Sequence, residues 1–162
     1  MSQIYISLGS NIDAEKNIRI AVRALQSAFG KLILSSVYES EAVGFDGDNF
    51  LNMVVALETE DDIHQVARTL HKIEDENGRT RTGPRFSKRT LDLDLLLCDD
   101  LVLHEQHLEI PRNEIIENAF VLWPLAEIAP LIVHPTEKKT IKTLWDDYPK
   151  SSQSIWKIPF SF

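Results

Sequence analysis

An α+β fold, a ferredoxin-like β-α-β-β-α-β sandwich with additional C-terminal strands and helices, is predicted by three features of this 162-residue sequence. Two segments repeat apolar residues at helical spacing: Ile18, Ala21, Val22, Leu25 and Phe29, then Ile63, Val66, Ala67, Leu70 and Ile73. Short apolar or alternating runs of strand length flank both segments. The order is the third feature, because strand, helix, two strands, helix, strand suits an antiparallel-rich sheet with both helices on one face.

Ile4 to Leu8 is an apolar run ended by Gly9-Ser-Asn11, a strand entering a turn. The first helix starts near Asp13 and closes at Gly30. Leu32 to Tyr38 reads as one strand and Phe50 to Glu58 as the next, joined by a polar loop with Gly44, Asp46, Gly47 and Asp48. Asp61 or Asp62 caps the second helix, which Asn77-Gly78 ends. A strand from Leu91 to Cys98 follows, with shorter extended pieces around Val102 and Leu108. Further helix is expected over Glu114 to Asn118 and Trp123 to Ile128, with a turn near Ile141 to Trp145. No repeat or linker interrupts the pattern, so residues 1–162 read as a single domain.

Bulk composition narrows the function classes. The chain is 43% hydrophobic and 26% charged, ordinary for a globular protein, and its net charge of -8 argues against nucleic acid as a partner. Small molecules are the expected partners. The start has no basic and apolar leader, and no apolar run reaches the length of a membrane span. Cys98 is the single cysteine, in the apolar run Leu95-Leu-Leu-Cys98, and reads as a buried structural thiol. A cytoplasmic location is the expectation. The aromatic tail Ile155 to Phe162 is expected to dock on its own domain, as a monomer requires.

Against this acidic background one segment reverses sign. The eleven residues from Arg79 to Arg89 carry five positive charges and no negative one, and Asp92 and Asp94 follow directly. Strand alternation points both carboxylates to one face, with Leu91, Leu93 and Leu95 on the other. Two like charges on one face are comfortable beside a cation, and Mg²⁺, which takes one or two carboxylates with phosphate oxygens and water, is the natural candidate. An exposed polar strand face is the plain alternative. For Arg79, Arg81, Arg85, Lys88 and Arg89 the plain alternative is a solvated loop paired with Glu74, Asp75 and Glu76, whereas guanidinium forks match phosphate bidentately. Phe50 and Asn52 share a strand face opposite Leu51, either a satisfied core amide or an aromatic platform with a group that donates and accepts. His104 and His107 have no supporting cluster for zinc.

Four strings, Gly9-Ser-Asn11, Phe50-Leu-Asn52, Arg89-Thr-Leu-Asp-Leu-Asp94 and Phe120-Val-Leu-Trp-Pro-Leu125, resemble the 6-hydroxymethyl-7,8-dihydropterin pyrophosphokinases of folate biosynthesis. The resemblance runs in register from about Ile4 to Pro130. It implies transfer of a pyrophosphoryl group from ATP to the pterin hydroxymethyl group, with release of AMP. Asp92 and Asp94 would then hold two Mg²⁺ ions. Asn52 would read the pterin edge, Phe50 and Phe120 would sandwich its ring, and groups near Ser40 and Val43 would complete the pocket. Glu74 and Leu95 would shape the nucleotide site, while Arg79, Arg81, Arg85 and Arg89 would engage phosphates, with Arg112 nearby. Four positions depart from the family pattern: Arg112 where His is usual, Asn118 where Arg is usual, Phe86 for Trp and Lys88 for Pro. Arg112 can still meet a phosphate, but a neutral Asn118 cannot replace a guanidinium. A catalytically weakened relative that only binds pterin and nucleotide is the alternative those departures leave open.

Overall fold

A computed structural model describes residues 1–42, 48–77 and 91–162. The expected contacts of Val43, Arg79, Arg81, Arg85 and Arg89, and the family departures Phe86 and Lys88, lie outside those residues. Among the described residues the fold is mixed α/β, with an antiparallel sheet and five α-helices.

The sheet forms from the strands β1 (Ser2–Ser10), β2 (Ile33–Leu34), β3 (Val37–Ser40), β4 (Phe50–Thr59), β5 (Asp92–Cys98) and β8 (Ile155–Ile158). Its order is β5-β1-β4-β3-β8, with β2 on β4, and every neighbouring pair runs antiparallel. Helices α1 (Ala14–Phe29) and α2 (Ile63–Glu76) carry the two periodic segments. Asp62 opens α2 with a full capping box: its carboxylate accepts from the His64 and Gln65 amides, and Gln65 accepts from the Asp62 amide. The hairpin β6 (Leu103–Glu105) and β7 (Leu108–Ile110) leads to α3 (Glu114–Glu117), α4 (Ala119–Ile128) and α5 (Ile141–Asp147).

Alternation along the strands builds two cores, one on each face. Ile4, Ile6, Leu8, Met53, Val55 and Leu57 pack with α1 and α2. Tyr5, Val54, Ala56, Leu96 and Leu97 face the other way, under α3, α4 and α5. A β-bulge explains why Leu96 and Leu97 share a face: Tyr5 pairs with Leu97 while Ile6 pairs with Leu95, so Leu96 is an extra residue. The carbonyl of Leu96 accepts the Arg112 amide at 3.0 Å, which ties the chain after β7 to β5.

Two expectations need correction, and a third holds. The strand expected from Leu32 to Tyr38 breaks at Ser35-Ser36, because the Ser35 hydroxyl accepts the Val54 amide at 2.9 Å and interrupts regular pairing. Helix α4 starts at Ala119, four residues before Trp123; it is apolar nearly all round, so no stripe marks its start, and Pro124 sits inside it. The tail does dock on its own domain, as strand β8 along β3.

Candidate active site

Register places one row of residues across four strands. Tyr38 on β3 pairs with Asn52 on β4, Asn52 pairs with Gly9 on β1, and Gly9 pairs with Asp92 on β5. Antiparallel partners share a sheet face, so this row lies on the α4 side. Two strand spacings separate Asn52 from Asp92, about 10 Å. Gly9 stands between them without a side chain; a Cβ there would meet Asn52 Oδ1 at 3.4 Å and close part of that gap. Both acids are half-buried on this face, and Ser7 lies opposite Asp94.

The amide of Asn52 is held. It is buried, and its Nδ2 donates to the Ser40 hydroxyl at 2.8 Å, which turns Oδ1 towards Gly9. Beside it, the Tyr38 hydroxyl donates to Glu127 Oε1 at 2.6 Å, and its ring tilts against Trp123 at 4.7 Å. Burial, then the Glu127 contact, pushes the Tyr38 pKa up, so the hydroxyl stays a donor. Burial opposes the Glu127 charge, yet the Tyr38 and Ser36 hydrogen bonds outweigh it and hold that carboxyl below its ordinary range. This network fixes α4 over β3, and with it Phe120, half-buried on the first turn of α4. Phe50 is half-buried at the start of β4, opposite Ser40.

The acid pair has its own supports. Glu74 on α2 is 4% exposed, and its Oε2 accepts the amide of Leu93, the residue between the two acids, at 2.8 Å. A buried carboxylate thus pins the peptide that sets their spacing. Arg112 lies on the other side of Asp94, its Nη2 3.5 Å from Oδ1. Glu114 Oε1 accepts from Nε at 2.9 Å and forms an ion pair with Nη2 of the same guanidinium at 2.8 Å. Burial alone would lower the Arg112 pKa, but Asp94, Glu114 and Asp92 outweigh it and raise it above the ordinary guanidinium value.

Leu95 does not join this face. Its side chain is buried in the α1–α2 core, opposite both acids. His104 Nδ1 lies 3.6 Å from Glu109 Oε1 across the β6–β7 hairpin, and no group of three or more His, Cys, Asp or Glu able to hold a metal occurs among the described residues. Asp92 and Asp94 are a smaller set, two hard oxygen donors on one face, and that set fits Mg²⁺, which completes its shell with water and phosphate oxygens. Cys98 is a buried free thiol, whose pKa burial pushes up. Among the described residues no helix is long and apolar enough to cross a membrane.

The family model for 7,8-dihydro-6-hydroxymethylpterin-pyrophosphokinase matches residues 5–130, a span that holds the whole cross-strand row. The chain belongs to this family. The 2-amino-4-hydroxy-6-hydroxymethyldihydropteridine pyrophosphokinase of Aquifex aeolicus is 33% identical over 144 residues, covering 88% of this chain and 89% of that protein. The enzyme of the same name from Bacillus subtilis is 41% identical over 128 residues, covering 76% of each. The Plasmodium falciparum HPPK-DHPS structure with pterin and p-hydroxybenzoate superposes with a TM-score of 0.74 at 15% identity, a likeness of fold. It covers 93% of this chain, which spans under half of that longer one, 43%.

Within this pyrophosphokinase family, two departures of the chain now have structural accounts. Asn118 sits between α3 and α4 in extended conformation, and its carbonyl accepts the Val121 and Leu122 amides that start α4. Its Oδ1 accepts from Gln153, whose own Oε1 accepts the Ala119 amide at 2.7 Å. The position has become a junction cap. Arg112, by contrast, stays at the acids. Two contributors escaped the sequence reading: Gly9, whose signal was a glycine at the end of a strand pattern, and Glu114, whose signal was only an acid two residues after an arginine.

Proposed function

We propose that this chain transfers a pyrophosphoryl group from ATP to the hydroxymethyl group of 6-hydroxymethyl-7,8-dihydropterin, releasing AMP, in folate biosynthesis. The observation that carries the reading is the row Asn52–Gly9–Asp92, with a heterocycle-reading amide and an acid pair on one face and a residue without a side chain between. Asn52 would donate to and accept from the pterin edge, with Ser40 fixing which atom does which. Phe50 and Phe120 would cover the ring, with Val43 at its edge. The hydroxymethyl oxygen would then point along the row towards β5.

In this reading a bond forms between that oxygen and the β-phosphorus of ATP. The bond from the β-phosphorus to the α,β-bridging oxygen breaks, AMP leaves with that oxygen, and the hydroxyl proton is released. Two Mg²⁺ ions, when held by Asp92 and Asp94, would neutralise the triphosphate and the charge growing on the leaving oxygen. Glu74 would keep the two acids at their spacing, and Arg112 would meet phosphate oxygens from the α3 side. Arg79, Arg81, Arg85 and Arg89 would engage the phosphates from the basic segment, and Leu95, whose side chain turns into the α1–α2 core, would border the nucleotide site through its backbone.

The strand order β5-β1-β4-β3, with antiparallel neighbours and α1 and α2 on one face, supports reading this part as ferredoxin-like and residues 1–162 as one domain. We read the protein as a cytoplasmic monomer; a single free thiol and ATP as co-substrate suit that compartment. An assay with ATP, Mg²⁺ and the reduced pterin is expected to yield AMP in step with pterin pyrophosphate. ADP as the nucleotide product, or no nucleotide turnover at saturation, would reject the reaction. Asn52→Leu is expected to raise the KM for pterin by roughly 10- to 100-fold, as loss of a buried paired amide does. An unchanged KM would remove Asn52 from the pterin pocket.

A further inference from the structure

Arg112 is where this chain departs from its family beside the acids, and the geometry shows how the guanidinium is held. Its amide is tied to the bulge carbonyl of Leu96 at 3.0 Å, so its backbone is fixed relative to Asp94, two residues earlier on the same strand. Its Nε and Nη2 both point at a single oxygen, Glu114 Oε1, and Nη2 is shared with Asp94 at 3.5 Å. The Nε contact with Glu114, 2.9 Å, is a charge-assisted hydrogen bond and the Nη2 contact, 2.8 Å, a close ion pair; the Asp94 contact is longer and electrostatic. The firm tether is therefore to Glu114, and the looser partner is the acid that would hold metal.

We propose that Glu114 is a positioning residue that keeps Arg112 over the acid pair as an exchangeable cation. Without metal, Arg112 offsets part of the Asp92 and Asp94 charge. When metal and triphosphate bind, Nη2 gives up Asp94 and turns to a phosphate oxygen, while Nε stays on Glu114. Three features argue for an exchangeable contact. The Asp94 distance exceeds that of a hydrogen bond, the side chain is 36% exposed, and the rigid fork can pivot as a unit about its Nε–Glu114 hydrogen bond, carrying Nη2 from Asp94 to another oxygen. A lysine could not do both, since its ammonium is a single point.

This inference rests on the pyrophosphokinase reading, and its test does not need turnover. Mn²⁺ binding to nucleotide-free protein, followed by electron paramagnetic resonance, is expected to tighten about 5-fold in Arg112→Gln, because a competing cation beside Asp94 is gone. Calorimetry with Mg²⁺ and α,β-methylene ATP is expected to give roughly 10-fold weaker binding for the same variant. Glu114→Gln is expected to weaken the analogue about 5-fold alone, and by less than about 1.5-fold once Arg112 is already Gln, since its action runs through Arg112. Arg112→Lys should restore Mn²⁺ affinity to the parent value without restoring analogue binding. Equal losses for Glu114→Gln in both backgrounds would mean that Glu114 acts independently of Arg112 and would overturn the positioning role. Unchanged Mn²⁺ affinity in Arg112→Gln would overturn the cation exchange. Absence of AMP formation by the parent protein, with the binding pattern intact, would count against the pyrophosphokinase reading alone.

Discussion

Asp94→Ala is expected to lower kcat by about 10³-fold or more, with pterin affinity changed less than about 2-fold. The magnitude follows from what the residue would do: a carboxylate that holds the ions on a transferring phosphoryl group acts where charge moves, and electrostatic groups of that kind contribute several kcal/mol. The selectivity follows from geometry. Asn52 and Ser40 form their own hydrogen-bonded unit on β3 and β4, with Gly9 between it and β5. Removing a carboxylate on the far side of that gap leaves the amide and its partner in place. Initial rates under saturating ATP and Mg²⁺, beside equilibrium pterin binding, check both halves. Turnover within 10-fold of the parent would withdraw Asp94 from the metal assignment, and a matching loss of pterin affinity would mean that the two halves of the row are not separable.

A second large effect is expected in stability. Leu96→Ala should lower the unfolding free energy by about 3 kcal/mol, within the 2–5 kcal/mol range for emptying a fully buried leucine site. Leu96 is 0% exposed, and as the extra residue of the bulge its side chain fills the core beneath α3, α4 and α5. Backbone pairing on both sides of the bulge restrains the strand from closing over the cavity, which keeps the cost from relaxing away. Leu131→Ala is the control: at 80% exposure it should change stability by less than about 0.5 kcal/mol. Urea melts of both variants check this, with the expected result a lower midpoint for Leu96→Ala at unchanged slope. A midpoint shift no larger than that of Leu131→Ala would contradict the packing described for the bulge.

Much of the frame was legible because period and burial coincide. The stripes of α1 and α2 and the Asp-Leu-Asp-Leu alternation that opens β5 each report which side faces a core, so the shared face of Asp92 and Asp94 followed from counting by two. The elements that escaped lack such a period. Helix α4 is apolar nearly all round, and the break at Ser35 depends on one hydroxyl reaching the Val54 amide across the sheet. The Asn52–Gly9–Asp92 row joins residues far apart in sequence, and its register comes from three strands packing together. The grip of Glu114 on Arg112 depends on where the chain returns after β7, which the bulge carbonyl decides. Local pattern names faces; long-range pairing names neighbours.

The place of β5 in the sheet has one more consequence. Among the described residues it is an outermost strand, and apart from Asp92 and Asp94 it is built of leucines and a cysteine, a composition suited to recruiting another extended chain. The two carboxylates are thus also gatekeepers against self-association while the protein is folding. Replacing them with apolar residues would lower colloidal stability as well as remove the proposed metal ligands, so a variant that tests the metal role alone has to keep this strand polar.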